Sequence, residues 1–359
     1  MKYLVDWLFI LSFVPLIWKM KIIRPFKALN KDYLSVDNCN AMRGVFALTP
    51  LVVHIGNCIS YSKPLNWWSI NGNMVVEAFF FLSGFGLMKQ YMLRDDYAKG
   101  FLVKRMPKIL IPYIATILLY WAGTFVFYGF LYSPFGVLNT ILCGVPIVTF
   151  SWFMVHLILF YLFFWLMMLV CKKHYNLMIA GGILYFALTS WLFYSRGFGM
   201  HWYETSLGLT LGIFWAVYEK QIFSIMEKWY WPVFIFVLVL TAVVYKIDIP
   251  WLYGLFPSDF AFRNVLVFLL MCLCIVLGMM KCAVGNRVSH FLGYISLEIY
   301  LLHGFAIMML KNTKYDMSNE ALFTILVPII TIVMAYVMKK CMEFVFDIIY
   351  GKRKLFVKK

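Results

Sequence analysis

An arginine and a histidine eleven positions apart, Arg43 and His54, stand in the otherwise apolar stretch AMRGVFALTPLVVHIGNC of residues 41–58. Eleven residues at about 100° each make three turns plus about 20°, so both side chains share one helix face. They lie about 16 Å apart along the axis. Imidazole moves protons near neutral pH, and guanidinium binds carboxylate and phosphate groups in a planar fork. In hydrocarbon such groups cost a few kcal/mol each, about 2.5–3.5 for a central arginine on insertion scales. A bland reading is open: Arg43 snorkels to the interface and His54 is a packing histidine.

Other polar residues fall inside apolar runs. Glu77 opens VVEAFFFLSGFGL, followed by Ser83, Gly84 and Gly86. The small residues suit close helix packing. The carboxylate needs a partner, and a Glu that orients an imidazole is the usual support for a histidine base. Lys104, Arg105 and Lys108 stand one turn apart just before an apolar run, a spacing suited to phosphate. SWFMVHLILFY carries Trp152 and His156, the latter read as structural first. HFLGYISLEIYLLHG places Ser296, Tyr300 and His303 on one face and sends Glu298 towards another helix.

These residues must be positioned by helices in a membrane. The chain has 359 residues, 64% of them hydrophobic and 13% charged, with a mean hydropathy of +0.83. Soluble domains are nearer half apolar. The long continuous runs exclude a barrel and predict an all-α, polytopic membrane helical bundle. Ten core transmembrane helices are expected near 41–59, 72–91, 107–130, 151–171, 177–195, 203–219, 229–246, 261–280, 289–310 and 320–347. One extra N-terminal helix, residues 3–18, precedes them. Residues 134–149 read as a short helix or re-entrant segment. Three parts follow: an N-terminal helix and basic connector (1–40), the membrane region (41–347) and a basic tail (348–359).

The net charge of +16 reflects topology and not nucleic acid. With the connector in the cytoplasm, 24 of the 32 Lys and Arg fall on that side and seven opposite, with Arg43 at the boundary. Arg43, Lys104, Arg105 and Lys108 then share an inner mouth. His54, Glu77 and His303 share an outer layer. Trp67, Trp68, Trp202, Trp229, Trp231 and Trp251 suit interfacial belts. The eight cysteines show no metal spacing; Cys58 and Cys143 both fall near the outer side, where a disulfide is open. Two chemical zones suit a long anionic donor with a flexible arm, such as an acyl-coenzyme A, and an acceptor waiting outside.

The chain resembles the integral-membrane acyltransferase type 3 family, over residues 41–347. The resemblance rests on the arginine and histidine of RGVFALTPLVVH, on FFFLSGF, on the basic pair Arg105 and Lys108 in KRMPKILIPY, and on ISLEIYLLHG. Lys108 stands where the family often has arginine, and Glu77 where it often has aspartate. The resemblance implies an O-acyltransferase acting on surface carbohydrate. His54, Glu77 and Arg43 are expected to be catalytic. Lys104, Arg105, Lys108, Ser83, Trp152, Tyr300 and His303 are expected to bind substrate. No bound cofactor or metal is expected; acyl-CoA, acetyl-CoA foremost, is the donor substrate. The acceptor is a hydroxyl of a cell-surface polysaccharide or its lipid-linked precursor. The location is a cell membrane, a bacterial inner membrane foremost, with the lipid bilayer as partner. Two rival readings are a transporter or flippase of a glycolipid or anion, and a partner subunit without catalysis. The lack of internal repeats argues against the first, and the retained Arg43 and His54 against the second.

Overall fold

The computed structural model describes residues 10, 14–23, 28–59, 72–143, 147–148, 150–246, 262–312 and 314–351. The expected N-terminal helix, most of the basic tail, and Trp67, Trp68 and Trp251 lie largely or wholly outside them. The molecule is an all-α bundle. The sole strand pair among the described residues joins β1 (Lys21–Ile22) antiparallel to β2 (Cys282–Ala283).

Helix α1 (Val36–Gly56) starts at Ser35, whose Oγ accepts from the Asn38 amide at 3.2 Å. Its apolar residues pack inward around Pro50. Helix α2 is Gly72–Leu93, α3 Phe101–Arg105 and α4 Pro107–Gly123. Helix α5 (Pro134–Cys143) is the short helix expected before α6 (Trp152–Cys171). Then come α7 (Tyr175–Ser195), α8 (Leu207–Lys246), α9 (Phe262–Met279), α10 (Arg287–Tyr294), α11 (Ser296–Leu310) and α12 (Glu320–Ile349). Six helices among the described residues are long and apolar enough to cross a membrane, or seven if α10 and α11 count as one span.

One expectation about the helices holds and one changes. The expected spans 203–219 and 229–246 fall on the two ends of α8, which a kink divides: its backbone leaves helical geometry at Tyr218 and Trp229, where the first was expected to end and the second to begin. The expected span 289–310 is broken at Ile295, where α10 meets α11 at 74°. The break follows from packing. Gly44 of α1 lies against the Ser289 carbonyl, and Gly293 of α10 against the Asn40 carbonyl. α10 is thereby laid across α1, and the chain must turn to run α11 alongside it. Cys58 is a free thiol, so no disulfide ties it to Cys143.

A second glycine contact places α2. Gly84 packs on the Leu209 backbone, while Gly208 and Gly212 of α8 pack on the Glu77 and Phe81 carbonyls. Close packing is what the small residues predict, though Gly86 meets open space. Lys89 and Glu219 join the same two helices with an ion pair of 2.6 Å. Glu298, sent towards another helix by its spacing, pairs with Lys339 of α12 at 3.2 Å.

Candidate active site

Six helices bound a cavity of about 230 Å³, and four of them each contribute one stripe at helical spacing. From α1 come Arg43, Ala47 and Pro50. From α2 come Val76, Phe79 and Ser83. α6 gives Phe153, Leu157 and Tyr161, and α11 gives Ser296, Leu297 and Tyr300. Arg105, the last residue of α3, joins Lys108 and Ile109 at the start of α4. The wall is largely apolar and its charge is of one sign. Among the described residues, no carboxylate lines the cavity, and no ion pair engages Arg43, Arg105 or Lys108. Three cations in one cavity, with no counter-charge among the described residues, have the chemistry to hold an anion. Tyr97, in the connection between α2 and α3, has its ring centroid 5.9 Å from the Arg105 guanidinium. Burial pushes the Tyr97 phenol up, and the Arg105 and Arg94 charges offset part of that shift.

Beyond the far end of the cavity stand two imidazoles. Pro50 lines it and His54 follows one turn later; Tyr300 lines it and His303 follows three residues on. Neither imidazole is part of the lining. The rings of His54 and His303 lie nearly parallel, with centroids 5.0 Å and planes 16° apart. His303 Nδ1 is 2.7 Å from the Tyr300 carbonyl oxygen. A carbonyl only accepts, so Nδ1 carries the hydrogen and Nε2 the lone pair. His303 Nε2 is buried, with no hydrogen-bond partner among the described residues. His54 is half-buried and makes ring contacts, with no hydrogen bond to a described residue. The Phe150 ring lies over His54 at 3.6 Å between centroids and stacks on His303 at 5.1 Å. The Tyr300 hydroxyl donates to the Phe150 carbonyl.

Glu77 requires a correction. Its carboxylate does not orient His54. It accepts from the Ser206 amide at 2.9 Å and from the Gly208 amide, both at the start of α8. Ser206 has a φ of +85°, in the left-handed region. The amides that open α8 have no intrahelical partner, and α2 supplies a buried carboxylate to them. Glu77 points to α8, whereas its neighbour Val76 points into the cavity.

The remaining expected residues divide. Arg43, Arg105, Lys108, Ser83 and Tyr300 meet at the cavity. Ser83 also donates back to the Phe79 carbonyl at 2.9 Å. Lys104 is exposed and outside the lining. Trp152 is buried away from the cavity, against Phe80 and against His201 at 5.7 Å between centroids. His156 is the structural histidine its spacing suggests. Its Nε2 meets the Trp202 carbonyl at 2.7 Å, and its Nδ1 meets the Tyr185 hydroxyl at 3.3 Å.

Sequence reasoning missed Tyr161, Pro50 and Phe150. Tyr161 was within reach, because Phe153, Leu157 and Tyr161 recur every four residues. Phe150 carries no signal in one dimension, since it is one of 35 phenylalanines.

A family model described as an acyltransferase domain, of type 3, matches residues 36–339. Comparison with curated proteins and with solved structures finds no match.

Proposed function

Since the chain belongs to the acyltransferase type 3 family and is built as a multi-pass membrane bundle, we propose that it moves an acyl group from cytoplasmic acyl-CoA to a hydroxyl outside. The acceptor is a sugar of a surface polysaccharide or its lipid-linked precursor. The observation that carries this reading is the cavity with Arg43, Arg105 and Lys108 at one end and two imidazoles just beyond the other. The phosphates of CoA match the uncompensated cations, Arg105 and Lys108 foremost. The apolar stripes of α2 and α6 accommodate the pantetheine arm. Arg43, four residues before Ala47 on the same stripe, guides the donor inward.

The chemistry then falls to the imidazoles. The acceptor hydroxyl oxygen attacks the thioester carbonyl carbon, and His54 takes the hydroxyl proton. The carbon–sulfur bond breaks, and the leaving thiolate takes up a proton to give CoA. The parallel His303 offers a second lone pair at Nε2, with its tautomer held by the Tyr300 carbonyl. Its proximity disfavours charging both rings together, so one proton is handled by the pair.

The test is CoA thiol release from acetyl-CoA by the full chain in lipid nanodiscs, with surface glycan or its lipid-linked precursor as acceptor. Wild type releases CoA and acetylates the glycan, and His54→Ala does neither. Equal rates in both proteins overturn the assignment. A carrier of glycolipid or anion releases no CoA under any condition.

A further inference from the structure

Phe150 is held in place by more contacts than a lipid-facing aromatic needs. Its ring lies over His54 at 3.6 Å and beside His303 at 5.1 Å between centroids. Its edge fits where Gly304 has no side chain. A Cβ on Gly304 would stand 2.8 Å from the phenyl Cδ2 and 2.6 Å from the Tyr120 hydroxyl. Its carbonyl receives the Tyr300 hydroxyl, and Tyr300 itself lines the cavity. The phenyl ring thus fills the volume beside both imidazoles, close to where the cavity ends.

A thioester whose carbonyl reaches an imidazole must place its acyl substituent in the volume next to that ring. Here that volume holds the Phe150 phenyl, with the Tyr120 hydroxyl beside it against Gly304. A methyl group needs little of the space. Each added methylene competes with ring carbons, and packed interiors do not yield such space freely. We infer that Phe150 sets the acyl chain length, admitting an acetyl donor and excluding longer ones. The inference rests on the acyl-CoA reading above. If Phe150 serves packing alone, its truncation slows every donor alike.

The experiment compares kcat/KM for acetyl-, butyryl- and hexanoyl-CoA in wild type, Phe150→Leu and Phe150→Ala, each as the full chain in nanodiscs. Wild type is expected to prefer acetyl-CoA. The butyryl-to-acetyl ratio should rise about tenfold or more in Phe150→Ala, since one methylene of fit is worth about 10–200-fold. Phe150→Leu should fall between. Where a variant reaches the membrane but turns over too slowly, competition of each acyl-CoA against labelled acetyl-CoA binding gives the ratio of affinities, which should shift in the same direction. Equal ratios in all three proteins, or equal use of hexanoyl- and acetyl-CoA by wild type, overturn the inference while leaving the acyl-CoA reading standing. Wild type that releases no CoA from any of the three donors overturns that reading, and the inference with it.

Discussion

The imidazoles of His54 and His303 face one another at 5.0 Å between centroids, one from α1 and the other from α11, 249 positions apart in the chain. One of them has its tautomer set by a main-chain carbonyl, and the other has no hydrogen bond to a described residue. On the proposed function such a pair would act as one proton-handling unit, and its substitutions should not add.

His54→Ala should lower kcat by about 10²–10⁴-fold, the usual contribution of a general base. His303→Ala should also lower it, and the double variant should be little worse than His54→Ala. A double-mutant cycle on CoA release measures this. Fully additive losses would separate the two rings into independent roles.

Arg105→Gln and Lys108→Gln should raise KM for acetyl-CoA about tenfold or more and change kcat less. A hydrogen bond to a charged group is worth about 1.5–3 kcal/mol. Both losses should shrink when the donor lacks the phosphates, as acetyl-pantetheine does. The wild-type KM should rise with ionic strength, because Lys108 is exposed and its attraction is screened. Lys108→Arg should lower KM, since a fork replaces a point charge.

Glu77→Gln should act on stability. An amide side chain has a single acceptor oxygen, and its NH2 would face an amide donor of Ser206 or Gly208. Leaving one buried donor unmet costs about 1–3 kcal/mol. The midpoint of thermal unfolding in detergent should fall. The pH profile of the remaining activity should keep its shape, whereas a carboxylate that oriented His54 would displace it.

Gly44→Ala and Gly293→Ala should each destabilise the bundle by about 1–3 kcal/mol, the usual cost of overpacking. A Cβ at either site collides with main-chain oxygen across the α1–α10 crossing. Gly86→Ala is the control, because nothing stands near the added carbon. Thermal unfolding of the three variants reads the difference. Gly44→Ala should also raise KM for acetyl-CoA, since it displaces the helix that carries Arg43.

Much of the bundle was legible in one dimension, as the stripes show. Arg43, Ala47 and Pro50 recur at helical spacing, as do Val76, Phe79 and Ser83, and the cavity is where those stripes face one another. Glu77 shows the limit. Its depth in α2 was readable, but its partner was not, because one residue of rotation turned it from the cavity to α8. Trp152 failed in the same way. It sits one position before Phe153, and only Phe153 reaches the cavity.

The sequence by itself determined the class of the molecule, through a hydropathy that no soluble core could absorb. It also determined the candidate residues on each helix face, because spacing along a helix maps directly to angle. Only the tertiary structure decided which faces meet. That choice depends on glycine contacts between distant helices, such as Gly44 with Ser289 and Gly84 with Leu209. They set helix crossings and rotations to within one side chain, and no local pattern encodes them. The two imidazoles were visible in the sequence as two histidines; that they are stacked follows from the packing of α1 and α11, and that Phe150 lies against both follows from how the residues before α6 meet that pair.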